Sequence, residues 1–255
     1  MSDDTTKGAP GEGAPRTGAV AMIDALGFEG IYREHGLEKV TRALRAASET
    51  LGSIDTAVRA AGMPGLRFAC FSDTAIMAIP AAPEDFEQAT AWLARGLMAF
   101  LHRAMTDPHR IPLVYRGCLT VGDFYAEGQF FVGPAVDESA RWFEEGDAAI
   151  VWLTPKAAKL VKKEDMSLVP MFVDIKGHGP LSTFAVNVVP PSWTKDENDV
   201  ERVTLAEVQT CFSRPFDRAD PMPADVAIKK QRTLAFLAAA HAHSQKWSPN
   251  GVKSV

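Results

Sequence analysis

The chain has 255 residues, of which 46% are hydrophobic and 23% charged, with a net charge of −5. This composition is that of an ordinary globular protein, and the acidic balance argues against a nucleic-acid-binding surface, which is normally basic. The sequence holds no run of 18 apolar residues and no apolar signal segment near its N-terminus, so we expect neither a membrane span nor a secretory leader. Three widely separated cysteines argue against a disulfide framework and favour the cytoplasm.

The first part of the chain predicts a tail, a strand and a turn. Residues 1–18 are polar and rich in Gly and Pro, so we expect them to be disordered. Residues 19–26 predict a strand that carries Asp24 among apolar side chains. Gly27 begins the turn that follows.

A long helix and a hairpin come next. Apolar residues at steps of three and four from Ile31 predict one amphipathic helix, with kinks near Gly36 and Gly52. Residues 67–79 then predict two strands with Asp73 at the tip of the tight turn between them.

The rest of the chain alternates strands with helices. We expect a helix at 84–106, strands at 112–121 and 124–132 around a turn at Gly122, a helix from Gly133, a strand at 148–153, a helix at 154–162, strands at 168–175 and 181–189, and a helix at 224–247. This alternation predicts an α/β or α+β sheet with helices packed on it. The predicted division is a tail at 1–18, a domain at 19–189 and a partly helical C-terminal extension at 190–255.

Two carboxylates lie within this strand-like sequence, Asp24 and Asp73. A buried carboxylate must be paired, hydrogen-bonded or bound to a metal, because burying it bare is costly. We interpret the two as one metal site, and the alternative is that they are ordinary turn or cap residues.

Four segments, taken in order, resemble the catalytic domain of class III nucleotide cyclases. They are IDALGF at 23–28, FSD at 71–73, YRG at 115–117 with GPAVDESAR at 133–141, and VDIKGHGPLSTF at 173–184. The resemblance implies an α+β fold with a ferredoxin-type core and an antiparallel-rich sheet covered by helices. The C-terminal helical extension lies beyond the segments that carry the resemblance.

The resemblance also implies a metal-dependent mechanism. Asp24 and Asp73 would hold two divalent ions, with the backbone carbonyl of Ala25 as a further ligand, and these oxygen donors suit Mg²⁺ or Mn²⁺. Arg141, at the family's arginine position, would offset charge on the α-phosphate. The alternative for Arg141 is a surface ion pair with Glu138 or Glu145.

The sequence departs from adenylate cyclases at the positions that contact the base. Ala69 stands where that family has a lysine, Phe130 where it has an aspartate, and Asp137 where it has an asparagine. Losing the first two removes hydrogen bonds to adenine. Phe68 or Ala69 would lie near the base. Asp137 would hold the ribose or order Arg141, or it is only an acid favoured by the first turn of its helix.

The closer resemblance is to the pyrimidine cyclases of Pycsar antiphage systems, which make cUMP or cCMP for an effector that senses only the cyclic nucleotide. We therefore expect a cytoplasmic homodimer with shared active sites that converts UTP, or else CTP, and binds neither nucleic acid nor membrane. The alternatives are a purine cyclase with unusual base contacts, and an inactive cyclase fold that binds a nucleotide or a partner.

Overall fold

The computed structural model describes residues 16–106, 111, 113–162, 164–189, 204–217 and 221–247. Most of the predicted tail, residues 1–15, lies outside this set, whereas residues 16–18 form the start of the first strand. The boundaries of the domain and of the extension stay a prediction.

The first half of the chain forms a strand, two helices and a hairpin. These elements are β1 (Arg16–Ala25), α1 (Ile31–His35), α2 (Leu37–Ala60), β2 (Arg67–Phe71) and β3 (Thr74–Pro80). The single helix predicted from Ile31 is broken into two, because Gly36 adopts a positive φ of 78° that a helix cannot continue through. Gly52 lies inside α2 without interrupting it.

The second half supplies the rest of the sheet and its covering helices. A 3₁₀ turn (Pro83–Asp85) precedes α3 (Phe86–Thr106), followed by β4 (Tyr115–Glu127), β5 (Phe130–Val132), α4 (Pro134–Trp142), β6 (Val151–Leu153), α5 (Pro155–Ala158), β7 (Leu168–Ile175) and β8 (Gly179–Val186). The predicted strands at 168–175 and 181–189 therefore correspond to the β7–β8 hairpin.

The turn predicted at Gly122 is wrong. β4 continues through this residue, which pairs with Gly18 of β1, and the chain reverses only after Glu127. A Cβ at Gly122 would lie 2.9 Å from Nζ of Lys156 and 3.5 Å from Cβ of Ala135. The glycine therefore permits close approach of neighbouring elements rather than a turn.

The described strands form one eight-stranded sheet in the order β2-β3-β1-β4-β6-β8-β7, with β5 paired to β4. β1 is antiparallel to both β3 and β4, whereas β4 and β6 are parallel. The predicted α+β fold with an antiparallel-rich sheet is confirmed.

Two apolar clusters fill the interior. The larger contains side chains from β1, α2, α3 and the C-terminal helices. The smaller lies on the other face of β1 to β4, and its members are Val20, Ala69, Ile76, Ala78, Phe124, Ala126 and Ala135.

The C-terminal part of the chain forms α6 (Leu205–Ser213) and α7 (Ala224–Lys246). Only α7 was predicted. A capping box between Thr204 and Glu207 begins α6. Both helices contribute to the larger apolar cluster, through Val208, Phe212, Phe236, Leu237 and Ala240. No helix in the described ranges is both long enough and apolar enough to cross a lipid bilayer.

Candidate active site

Asp24 occupies the next-to-last position of β1, between Thr74 of β3 and Arg116 of β4. The Thr74 hydroxyl donates a hydrogen bond of 2.8 Å to Oδ1 of Asp24. An Arg116 guanidinium nitrogen lies 3.7 Å from Oδ2. The Asp24 side chain is only 19% exposed, so it is a carboxylate held in place by its neighbours.

Asp73 lies beside the end of the same strand. It occupies the turn between β2 and β3, and its carbonyl accepts a hydrogen bond of 3.1 Å from the Ala25 amide. Ser72, which precedes it, has a φ of 54°, a left-handed conformation that closes the tight turn. The structure thus brings together the two acids that the sequence singled out, from positions 49 residues apart.

The electrostatics of this pair favour a bound cation. Burial raises the pKa of Asp24 above its ordinary value, and the Thr74 hydrogen bond opposes this shift. The negative charge of Asp73 raises the pKa further, while Arg116 lowers it and Glu144 raises it. The two carboxylates therefore repel each other, and a cation between them would relieve that repulsion.

The donor set fits a hard divalent ion. Asp24, Asp73 and the Ala25 carbonyl offer the oxygen ligands that Mg²⁺ and Mn²⁺ prefer. Among the described residues no group of three or more His, Cys, Asp and Glu side chains could hold a metal ion. A metal here would consequently need the backbone carbonyl, solvent or substrate oxygens to complete its ligands.

Two backbone amides at the turn after β1 are already hydrogen-bonded within the protein. The Ala25 amide donates to Asp73, and the Leu26 amide donates to the Val114 carbonyl at 2.7 Å. Neither amide is available to a phosphate. Gly27 has a positive φ of 66°, and a Cβ there would lie 3.1 Å from Cβ of Pro215, just after α6. The segment just after α6 thus lies against this turn.

Two residues of the site were missed by the sequence analysis as functional positions, Arg116 and Glu144. Arg116 donates to Oε1 of Glu144 at 2.8 Å, and its guanidinium lies over the ring of Phe143 at 5.9 Å. The sequence feature that could have identified Arg116 is a single arginine at the start of an apolar strand. Its partners depend on strand register, which the sequence did not reveal.

Arg141 and Asp137 lie on the exposed side of α4. The helix packs on the sheet through Ala135 and Ser139, both buried. Within the described part of the chain Arg141 forms no ion pair, so the predicted alternative of a surface pair with Glu138 or Glu145 is not formed.

The three candidate base contacts lie in different places. Phe68 and Ala69 are consecutive on β2 and point to opposite faces, Phe68 toward the larger cluster and Ala69 into the smaller one. Val20 of the smaller cluster lies on the same face as Asp24, so Ala69 shares the face of Asp24 and Phe68 does not. Phe130 is 60% exposed on β5. Contact of any of the three with a base stays a prediction.

No protein-family model and no curated protein matches the sequence. Solved structures do match. One is the catalytic core of a rhodopsin-guanylyl cyclase with converted specificity in complex with ATPαS, at 15% identity over 69% of this chain and 98% of that one, with a TM-score of 0.50. Another is the guanylate cyclase domain of RhGC from Catenaria anguillulae in complex with GTP, at 15% identity over 70% and 98%, with a TM-score of 0.50.

A third is a non-canonical dimeric guanylyl cyclase domain of the RhoGC fusion protein from the aquatic fungus Blastocladiella emersonii, at 14% identity over 68% of this chain and 97% of that one, with a TM-score of 0.52. At these identities the likeness concerns the fold. The chain has the fold of class III nucleotide cyclase domains.

Proposed function

We propose that the protein is a nucleotide cyclase, which converts a nucleoside triphosphate to its 3′,5′-cyclic monophosphate and pyrophosphate. The observation that carries this proposal is the meeting of Asp24 and Asp73 at the end of β1, within a cyclase fold. Two carboxylates that repel each other at the end of β1 are explained if a divalent cation binds between them.

Asp24 and Asp73 would hold two divalent ions, Mn²⁺ or Mg²⁺, with the Ala25 carbonyl as a further ligand. When bound, such ions make the attacking 3′-oxygen more acidic and neutralise the leaving pyrophosphate. The protein's own part is to fix the two carboxylates: Thr74 orients Asp24 through its hydrogen bond, and the amide of Ala25 fixes the turn that carries Asp73. Arg141 would stabilise negative charge on the α-phosphate.

Phe130, one of the residues proposed for the active site, lies far from Asp24 within a single chain. In the sheet, Arg116 of β4 lies opposite Asp24, and Glu127 of β4 lies opposite Phe130. At about 3.3 Å per residue, the stretch of β4 from Arg116 to Glu127 therefore separates Asp24 from Phe130 by roughly 35 Å. We therefore propose a head-to-tail homodimer, in which Asp24 and Asp73 of one subunit meet Arg141 of the other, giving two sites.

Mixing two inactive variants tests the shared site. Asp73→Ala and Arg141→Ala subunits, combined in equal amounts, give mixed dimers with one intact site each. Because about half of the dimers are mixed, turnover should return to roughly a quarter of the wild-type level. Sedimentation of each variant checks that it still dimerises. Dimeric variants whose mixture stays inactive would exclude the shared site.

For the base we propose a pyrimidine, UTP ahead of CTP, with the cyclic product acting as a second messenger in antiphage defence on a separate effector. The support is chemical: Ala69 and Phe130 offer no side-chain hydrogen bond to the edge of adenine. A purine cyclase with different base contacts is equally compatible with the fold.

The deciding experiment is incubation of the protein with each of the four nucleoside triphosphates and Mn²⁺, followed by chromatographic separation of the products. We expect cUMP, or failing that cCMP, together with pyrophosphate. Formation of cAMP or cGMP alone would replace the pyrimidine assignment by the purine one. Absence of pyrophosphate from all four, with a folded dimer, would favour an inactive binding module.

A further inference from the structure

The loop that follows α4, residues 143–147, is tied to the β7–β8 hairpin. The Asp147 amide donates to the Asp174 carbonyl at 2.9 Å, and the Lys176 amide donates to the Glu145 carbonyl at 3.0 Å. The Lys176 ammonium also donates to the Glu144 carbonyl. This loop, which we name the Glu144 loop, is therefore fixed on one side by three hydrogen bonds.

The C-terminal helix α7 fixes the Glu144 loop from the other side. Arg232 forms an ion pair with Asp147 in the loop, and its Nε lies 2.9 Å from Oδ2 of Asp174 on β7. The adjacent Thr233 hydroxyl accepts a hydrogen bond of 2.9 Å from the Ala149 amide, just beyond the loop. One arginine of α7 thus joins the loop to the strand that supports it.

The loop in turn contacts Arg116 through Glu144. The Arg116 guanidinium lies 2.8 Å from Glu144 but 3.7 Å from Asp24, so Glu144 holds it more closely than Asp24 does. In the described part of the chain these are the two carboxylates within 4 Å of Arg116. An arginine released by Glu144 would shorten its existing ion pair with Asp24 and compete there more strongly with a cation.

We propose that Glu144 is a positioning residue, which draws Arg116 toward itself and keeps the ion pair of Arg116 with Asp24 long, so that Asp24 can bind a divalent cation, and that α7 maintains this arrangement through Arg232. The inference rests on the proposed function only in assuming that a divalent ion binds at Asp24. It gives the C-terminal extension a role at the active site.

The first test is direct Mn²⁺ binding, measured by electron paramagnetic resonance of the free ion with the full-length protein and no nucleotide. Glu144→Gln should raise the Mn²⁺ dissociation constant roughly five- to tenfold, because Arg116 then turns to Asp24. The matched control is Glu145→Gln, which removes the same charge at the next residue and should leave the constant near that of the wild type. Equal Mn²⁺ binding by Glu144→Gln and the wild type would overturn the proposal.

A second test separates the action of Glu144 through Arg116 from the simple loss of a nearby negative charge. In an Arg116→Gln background, the further change Glu144→Gln should have little effect on Mn²⁺ binding, since no arginine remains to be released. An unchanged five- to tenfold loss in that background would show that Glu144 acts only by its charge, and the proposal would fail.

A third test concerns α7. Arg232→Met should weaken Mn²⁺ binding about threefold, because the Glu144 loop is then held by the hairpin alone. Lys229→Met is the control, since the ion pair of Lys229 among the described residues is with Asp225 on its own helix, at 4.0 Å. Thermal unfolding shows whether each variant is folded at the temperature of the titration. If folded Arg232→Met binds Mn²⁺ like Lys229→Met, the role of α7 is excluded.

These outcomes can be told apart from failure of the proposed function. A protein that turns over no nucleoside triphosphate but shows the expected order of Mn²⁺ affinities loses the cyclase proposal and keeps the positioning role. A protein that makes a cyclic nucleotide while Glu144→Gln binds Mn²⁺ normally keeps the activity and loses the positioning role.

Discussion

The two faces of the sheet around β1 differ sharply in what they carry. Ile23 points into the larger apolar cluster and is completely buried, together with Leu97 and Phe100 of α3. Asp24, the next residue, points to the other face, where the cluster is small and Phe71 is 58% exposed. Because consecutive residues of a strand point to opposite faces, Ile23 packs in the core while Asp24 faces the candidate site.

The largest expected effect tests the chemical face. Asp73→Ala or Asp24→Ala should lower turnover by a factor of about 10³ or more, because the loss of one metal carboxylate removes several kcal/mol of transition-state stabilisation. Steady-state assays on the folded dimer measure it. Turnover within tenfold of the wild type would show that this face carries no catalytic metal.

The same comparison predicts the opposite behaviour on the apolar face. Leu97→Ala should reduce the free energy of unfolding by about 2–5 kcal/mol through the cavity that it leaves. Urea denaturation measures this loss, and turnover per folded molecule should stay near the wild-type value. A large loss of turnover per folded molecule would contradict the separation of the two faces.

A smaller effect follows from the raised pKa of Asp24. Since the pKa of the folded protein exceeds that of the unfolded chain, the stability contributed by protonated Asp24 is present at low pH and lost as the pH rises through the folded value. Asp24→Asn, which cannot ionise, should therefore have a higher Tm than the wild type near neutral pH.

Calorimetry in the presence of a chelator checks this sign. The Tm advantage of Asp24→Asn should be smallest near pH 4, the ordinary range of a carboxyl group, and should grow as the pH rises through the raised pKa of Asp24. A pH-independent difference in Tm would mean that burial of the charged Asp24 carboxylate does not destabilise the folded protein.

The smallest effect concerns the hairpin that carries Asp73. Ser72→Gly should raise the free energy of unfolding by about 0.5 kcal/mol, because glycine adopts the left-handed φ of 54° without the steric cost of a Cβ. Ser53→Gly, in the interior of α2, is the matched control and should lower it by about 0.5–1 kcal/mol. Chemical denaturation of both variants measures the contrast, and two changes of the same sign would contradict it.

Local signals explain which parts of the molecule the sequence predicted. A strand at 19–26 that carries Asp24, and a hairpin with Asp73 at its tip, depend on short-range patterns, and the structure contains both, the strand as β1 (Arg16–Ala25). The helix at 84–106 follows apolar spacing and appears as α3, and the helical stretch predicted at 224–247 appears as α7.

Features that depend on distant contacts were not predictable. The passage of β4 through Gly122 reflects the approach of Lys156 and Ala135, which no local pattern indicates. The grouping of Arg116 with Asp24 and Glu144 depends on strand register and on the position of a loop. Sequence spacing could suggest which residues act at the site, but not which neighbours orient them.

The packing of α7 has a consequence for how the protein matures. Phe236, Leu237 and Ala240 fill the interior alongside strands that are synthesised long before them. When only the strands of the sheet have emerged from the ribosome, the nascent chain still exposes the apolar surface that these side chains cover. The sheet and its covering helices therefore reach full stability only after α7 has left the ribosome.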